Sequence, residues 1–291
     1  MSRENAREPV DLRLVVCDMD GTLLDAEKQI PDSLEPLLER LHERGIVFCP
    51  ASGRQYATLA AMFPDLPDET VFIAENGAHV VADGRVLSTS PLLMPVVKRI
   101  VTAMDDLARR EDIGVIVCTT ETAYVDRHDE DFRVHVDPHY AEVTEVPSLA
   151  DLVHGAVSED DLPVVKVAVF ASAGPEGEVL RTLTEQCGDD AEVVVSGPQY
   201  VDVMAAGAHK GAAVAALQRS LGVSRAQTAA FGDAPNDAEM LDEADWSFAM
   251  ANAHDEILAR ARYRAPANTE DGVAVTVHRL LDGERPDTDS W

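Results

Sequence analysis

Short apolar runs alternate with amphipathic stretches over the first eighty residues. LRLVVC (12–17) predicts a strand, and PDSLEPLLERLHERG (31–45) predicts a helix with Gly45 just past its end. IVFCPAS (46–52) reads as a strand, RQYATLAAMF (54–63) as a helix and TVFIAEN (70–76) as a strand. This β-α-β-α-β rhythm predicts a parallel sheet with helices on both faces. The near-continuous Val, Ile and Phe runs suit strands buried on both sides.

After Asn76-Gly77 the texture changes. AHVVADGRVLSTS places an Asp83-Gly84 pair between two β-prone runs, a hairpin signal. A helix is predicted from near Met94, strands over 114–126 and 164–172, a helix over 174–189, and two strands in AEVVVSGPQYVDVMAA. Their alternating character predicts an antiparallel sheet with one open face, within an α+β domain. From Lys210 the first rhythm returns. KGAAVAALQRSLGV is helical, TAAFGD (228–233) a strand, NDAEMLDEA a helix, WSFAMAN a strand, HDEILARARY a helix and DGVAVTVHRLLDG a last helix. The tail ERPDTDSW is polar and reads as loose. The expected architecture is α/β: a Rossmann-like parallel-sheet core over 1–83 and 196–291, with an inserted α+β cap over 84–195.

Composition narrows the class. Of the 291 residues 46% are apolar and 26% charged, the range of a globular protein. No apolar run approaches the roughly 18 residues of a membrane span, and the N-terminal stretch shows no signal-like apolar region. A cytoplasmic protein without a membrane partner is expected. With 53 acidic against 24 basic side chains the net charge is −29, which argues against a nucleic-acid partner. The basic residues are mostly Arg, a bias that fits a GC-rich genome or a high-salt habitat and says nothing about fold. Cys17, Cys49, Cys118 and Cys187 lie far apart without metal spacing and read as buried, reduced thiols.

The sharpest local signal is Asp18-Met19-Asp20-Gly21-Thr22-Leu23, directly after the first strand. Ligands bind at the carboxyl ends of parallel strands. Side chains two apart in an extended segment face the same way, so both carboxylates can address one site. Like charges held together need a cation or a shared proton. A calcium loop is excluded: counted from Asp18, glycine falls at position 4 rather than 6, and position 12 is Gln29 rather than Glu. A plain Asp-Gly turn ending a strand is the bland alternative. A second acidic signal, Gly232-Asp233-Ala234-Pro235-Asn236-Asp237, also follows an apolar run. Alone it is open to reading as an ordinary turn with an N-cap; beside Asp18 and Asp20 it makes an oxygen-rich set suited to Mg²⁺. Ala51-Ser52-Gly53-Arg54 offers a hydroxyl and an amide at a helix start, an anion cradle or simply an N-cap. Lys210 opens a helix, against the macrodipole, which suits either a fixed cation or a solvated lysine. No GxGxxG follows the first strand, so a dinucleotide fold is not indicated.

The order DxDGTL, SGR, Lys-Gly and GDxxND resembles the haloacid dehalogenase superfamily. Glu75-Asn76-Gly77-Ala78 at the insertion's entry is similar to the Cof-type subfamily of hydrolases. So are Met250-Ala251-Asn252-Ala253 and the stretch from Asn268 to Ala274 near the C-terminus. The resemblance covers nearly the whole core, and in the cap it is one of general pattern. It implies a Mg²⁺-dependent phosphatase acting on a small phosphorylated metabolite, a sugar phosphate first. Asp18 would be the nucleophile that forms an aspartyl-phosphate, and Asp20 the acid and then the base. Asp18, the Asp20 carbonyl and Asp233 would hold Mg²⁺, with Asp237 orienting metal waters or Lys210. Thr22, Ser52, Gly53, Lys210 and Asn236 would hold phosphoryl oxygens, with Arg54 and Asn76 on the cap-facing side of the site.

The cap would close over the site and select the substrate. Its own residues are less telling. His128, His135 and His139, with Asp126 and Asp137, read as solvated loop groups rather than a metal set. Arg127 and Arg133 are candidates to contact an anionic or sugar leaving group but read first as surface residues, as does His209. A monomer or homodimer is expected. The rivals are a phosphotransferase or phosphomutase of the same fold, and a catalytically silent metal-binding regulator.

Overall fold

The computed structural model describes residues 10–64 and 70–286. The N-terminal stretch over 1–9 and the end of the expected loose tail, 287–291, lie outside the described residues. The chain forms two compact units. The first takes the chain up to Ser52, the strand reaching Ile73, and the chain from His209 onward. The second takes Gly53 through the Tyr56–Ala61 helix, and Ala74–Ala208.

The first unit is built on parallel strands. Their spatial order is Tyr263–Ala265, Trp246–Met250, Thr228–Gly232, Leu14–Asp18, Val47–Ala51 and the strand from Val71. Leu14 pairs with Thr228 on one side and Val47 on the other, and Asp18 pairs with Ala51. The LVVCD strand is buried at every position, as its unbroken apolar run demands. Helices Leu34–Glu43, Lys210–Leu221, Ala238–Asp242, Asp255–Arg260 and Gly272–Leu281 supply the crossovers and flanking layers. One expectation fails here: the helix predicted through Tyr263 stops at Arg260, and Tyr263–Ala265 is an edge strand. Ala261 is extended, Arg262 N donates to Ser247 Oγ, and Pro266 bars any helical continuation.

In the second unit the sheet order is Ala191–Gly197, Tyr200–Ala205, Val164–Ala171, Ile113–Thr119, Ala123–Val125 and Val143–Glu145. All neighbours are antiparallel except the last pair. The predicted hairpin is present as His79–Ala82 and Arg85–Thr89. Asp83 and Gly84 both take left-handed backbone, the requirement of its two-residue turn. Helices Met94–Leu107, Leu149–Gly155 and Glu178–Cys187 bury an apolar layer on the sheet.

Among the described residues, the face predicted to be open is covered over the central strands and exposed only at the edge strands Ala191–Gly197 and Val143–Glu145. A second cluster, including Phe132, Val136, Tyr140 and Phe170, buries the other side, and every position of Val164–Ala171 is buried. The strand predicted over 114–126 is two strands, because Thr119 Oγ1 turns the chain back through Thr122. The polar stretch 127–163 holds a helix over Glu130–Val136, capped by Asp129, and another capped by Ser148.

The units also divide differently from the expected insertion over 84–195. A cut at 195/196 falls inside the strand Ala191–Gly197, whose partner Tyr200–Ala205 pairs onward with Val164–Ala171. The whole hairpin therefore stays with the second sheet.

Candidate active site

Asp18 is the last residue of a fully buried strand and is itself only 6% exposed. Two other chain segments meet it within the first unit. Lys210, the first residue of its helix, is 1% exposed. Its Nζ lies 2.5 Å from Asp18 Oδ1 and 2.7 Å from Asp237 Oδ1. Asp237 is fully buried, and its other oxygen accepts from the amides of Asp233 and Ala234 at 3.0 and 3.1 Å. One carboxylate thus shapes the turn after the Thr228–Gly232 strand and holds the lysine. The solvated-lysine alternative for Lys210 is removed. His209 is not a plain surface residue either: Nδ1 accepts from Ala212 N and caps the helix that starts at Lys210.

Asp18, Asp233 and Asp237 each offer an oxygen within 4.8 Å of the others. Burial and the charge of Asp237 push the Asp18 carboxyl well above its usual range, against the pull of Lys210. The same two causes push Asp233 up to about 6, against the Thr22 hydrogen bond and Lys210. Burial opposes the charge on Lys210, yet Asp18 and Asp237 outweigh it and hold the ammonium protonated. Three carboxylates therefore face one ammonium. An all-oxygen cluster short of positive charge fits a hard divalent cation.

Asp20 is not part of this cluster. Its side chain is 40% exposed and lies 3.7 Å from Lys28 Nζ. The chain turns at Gly21, whose φ of 84° and lack of a Cβ admit Asp233: a Cβ there would sit 2.8 Å from Asp233 Cγ. Thr22 Oγ1 donates to Asp233 Oδ1 at 2.9 Å. Ser52 is buried one residue beyond Ala51, the strand partner of Asp18, and Asn236 is half-buried in the turn before Asp237.

Two residues without an expected role pin the loop that follows Asp18. Asn252 Nδ2 donates to Gly21 O and Asn268 Nδ2 to Leu24 O, both at 2.8 Å. Asn268 N donates in turn to Asn252 Oδ1. Both lie in the C-terminal stretches that carried the resemblance; the available signal was a polar side chain at a strand or turn end.

Gly53, Arg54 and Asn76 belong to the second unit. There Glu75 N donates to Arg54 O, and Asn76, buried, donates from Nδ2 to Asp202 Oδ2 at 3.0 Å. Gly53 O accepts from the buried Lys166, a residue the sequence pattern did not single out. Arg127 binds Asp112 and Asp129, and Arg133 binds Asp137 and Glu145. His135 stacks on Phe170 with ring centres 4.7 Å apart and His139 meets Tyr200 edge-on, so these histidines are half-buried ring partners rather than free loop groups.

The family model of haloacid dehalogenase-like hydrolases matches residues 15–277. The chain belongs to that family, among its Cof-type phosphatases. It is 30% identical over 279 residues to a protein of Escherichia coli named 5-amino-6-(5-phospho-D-ribitylamino)uracil phosphatase YbjI, covering 95% of this chain and 99% of that one. It is 30% identical over 253 residues to an HMP-PP phosphatase of Cronobacter sakazakii, covering 85% and 87%. The crystal structure of SMU.1108c from Streptococcus mutans superposes with a TM-score of 0.80 at 25% identity, covering 93% of this chain and 99% of that one. No helix among the described residues is long and apolar enough to cross a membrane.

Proposed function

We propose that this chain is a Mg²⁺-dependent phosphatase that hydrolyses a small phosphorylated metabolite through an aspartyl-phosphate on Asp18. The observation that carries the reading is the buried convergence of Asp18, Asp237 and Lys210, with Asp233 in the same cluster. A carboxylate at a strand end, with a fixed ammonium beside it, is placed to attack phosphorus.

In this reading an Asp18 oxygen forms a bond to phosphorus while the ester P–O bond breaks. Asp20 gives its proton to the departing oxygen. Its half-exposed position lets it exchange protons with solvent and then take a proton from the water that cleaves the aspartyl-phosphate. Lys210 neutralises Asp18 and a phosphoryl oxygen. Asp237 serves by fixing Lys210 and the turn that carries Asp233. Mg²⁺, held by Asp18, the main-chain carbonyl of Asp20 and Asp233, would supply the charge that lets a carboxylate approach an anionic ester. Thr22 orients Asp233, and Ser52 with Asn236 holds phosphoryl oxygens. Gly53, Arg54 and Asn76 complete the substrate set by resemblance. The four cysteines are buried and unpaired, which fits a reducing, cytoplasmic setting.

A sugar phosphate is the first substrate class proposed. The relatives' names extend the choice to phosphorylated ribityl and pyrimidine compounds. Phosphate release from a panel of phosphorylated sugars, nucleotides and cofactor precursors, with Mg²⁺ and with EDTA, tests the reading. Release that requires Mg²⁺ and stops in Asp18→Asn supports it. Transfer to a second sugar hydroxyl instead of water would make the protein a phosphomutase. Unchanged release in EDTA would overturn the metal assignment.

A further inference from the structure

The second unit holds a buried ion cluster that the proposed chemistry does not use. Lys166 sits mid-strand in VVKVAVFA, where every neighbour is apolar and buried. It is 2% exposed. Its Nζ lies 2.6 Å from Glu75 Oε2 and 4.0 Å from Asp202 Oδ2, and 5.2 Å from the centre of the Tyr140 ring. Its remaining contact is a carbonyl: Nζ donates to Gly53 O at 2.7 Å.

Burying a lysine with two acidic side chains is costly, and apolar residues of like volume commonly serve a fold as well or better. The strand's own pattern would accept Leu or Met here, so packing does not explain the lysine. Burial opposes its charge, but Asp202 and Glu75 outweigh burial and keep it protonated. Glu75 Oε2 and Asp202 Oδ2 thus face the lysine, while Glu75 Oε1 is buried without a hydrogen-bond partner.

What the lysine holds is tightly bounded. Glu75 N donates to Arg54 O at 3.1 Å, so consecutive carbonyls, of Gly53 and Arg54, are both gripped. Asn76 backs the segment: a Cβ on Gly53 would fall 2.9 Å from Asn76 Oδ1. Asn76 is itself tied to Asp202. Glu75 and Asn76 hold left-handed backbone, with φ of 50° and 54°, to reach these partners. Strain of that kind persists only where surroundings over-determine it.

We propose that Lys166 is a positioning residue for phosphate recognition: by holding the Gly53 carbonyl it sets the plane of the Gly53–Arg54 peptide, and so the direction in which the Arg54 N–H is presented to an anion. A peptide is planar, so fixing its carbonyl fixes its N–H. A cation on the carbonyl also polarises the peptide and strengthens that N–H as a donor. The inference rests on the phosphatase reading given above.

The test uses p-nitrophenyl phosphate as substrate, with Mg²⁺, and inorganic phosphate as competing ligand. Lys166→Met alone leaves two buried carboxylates without their cation and is exposed to misfolding. The decisive variant is Lys166→Met/Glu75→Gln, which removes one charge of each sign and keeps the Asp202–Asn76 bond. Expected is a melting temperature near wild type, with KM and the phosphate inhibition constant raised about tenfold, the scale of one charge-assisted hydrogen bond, and kcat within about threefold. Glu75→Gln alone keeps the hold on Gly53 and should leave both constants near wild type. A folded double variant with unchanged constants overturns the proposal. So does an equal loss in Glu75→Gln alone, or a double variant that fails to fold, which would make Lys166 a structural lysine. If wild type itself releases no phosphate, the phosphatase reading fails, and the proposal falls with it for that separate reason.

Discussion

Lys210 Nζ lies 2.5 Å from Asp18 Oδ1 although 192 residues separate them in the chain. The same ammonium reaches Asp237 at 2.7 Å. Removing it therefore strands two buried carboxylates. Lys210→Met should cost about 3–5 kcal/mol of stability in EDTA, as breaking a buried pair does. It should also weaken turnover by roughly 2–4 kcal/mol of transition-state stabilisation. Chemical denaturation and steady-state rates check the two effects; an unchanged rate would return Lys210 to a purely structural role.

Asp18→Asn separates chemistry from stability. Turnover should fall by at least about 10³-fold, as for a lost nucleophile. Melting in EDTA should be unchanged or higher, because burial and Asp237 already disfavour the ionised carboxyl. Rates near wild type would remove Asp18 as nucleophile.

Divalent metal should act as a stabilising ligand. At a hundred times its dissociation constant, Mg²⁺ should add about 2.7 kcal/mol if it binds only the folded chain. Thermal melts across a Mg²⁺ titration read this directly, and EDTA should abolish turnover. No shift at any concentration would contradict a metal at the Asp18, Asp233, Asp237 cluster.

Gly21→Ala probes the turn. At φ 84° an alanine costs about 1–2 kcal/mol, and its Cβ would sit 2.8 Å from Asp233 Cγ. Asp233 must move, so Mg²⁺ affinity should drop by about 10–100-fold, as when a ligand's support is lost. Calorimetric titration with Mg²⁺ would show it, and wild-type affinity would mean that Asp233 binds no metal.

His79 makes stability pH-dependent. It is buried between Tyr56 and Thr89, and burial lowers its pKa below the usual 6.5. Below pH 6.5 the unfolded chain then binds a proton that the folded chain resists, so stability falls as pH drops through that value towards the folded pKa. His79→Gln should flatten this part of the profile. Melting temperatures between pH 7.5 and 5.5 decide it; an unaltered slope would assign the effect elsewhere, to His278 for instance, whose pKa is also lowered by burial.

The chain order of DxDGTL, SGR, Lys-Gly and GDxxND determined the family and the strand-end placement of Asp18 and Asp233. Those features are local: a carboxylate directly after a buried apolar run must emerge at the sheet's end, and a glycine must permit the turn. The Asp83-Gly84 hairpin was legible for the same reason. Tertiary structure alone decided which carboxylates meet. Asp20, two residues from Asp18, stays outside the cluster, while Asp237, far along the chain, enters it. It also buried both faces of the second sheet's central strands and placed Lys166 against Gly53, 113 residues away. Sequence spacing fixes a side chain's direction only within one element, whereas charge pairing depends on where separate elements come to rest.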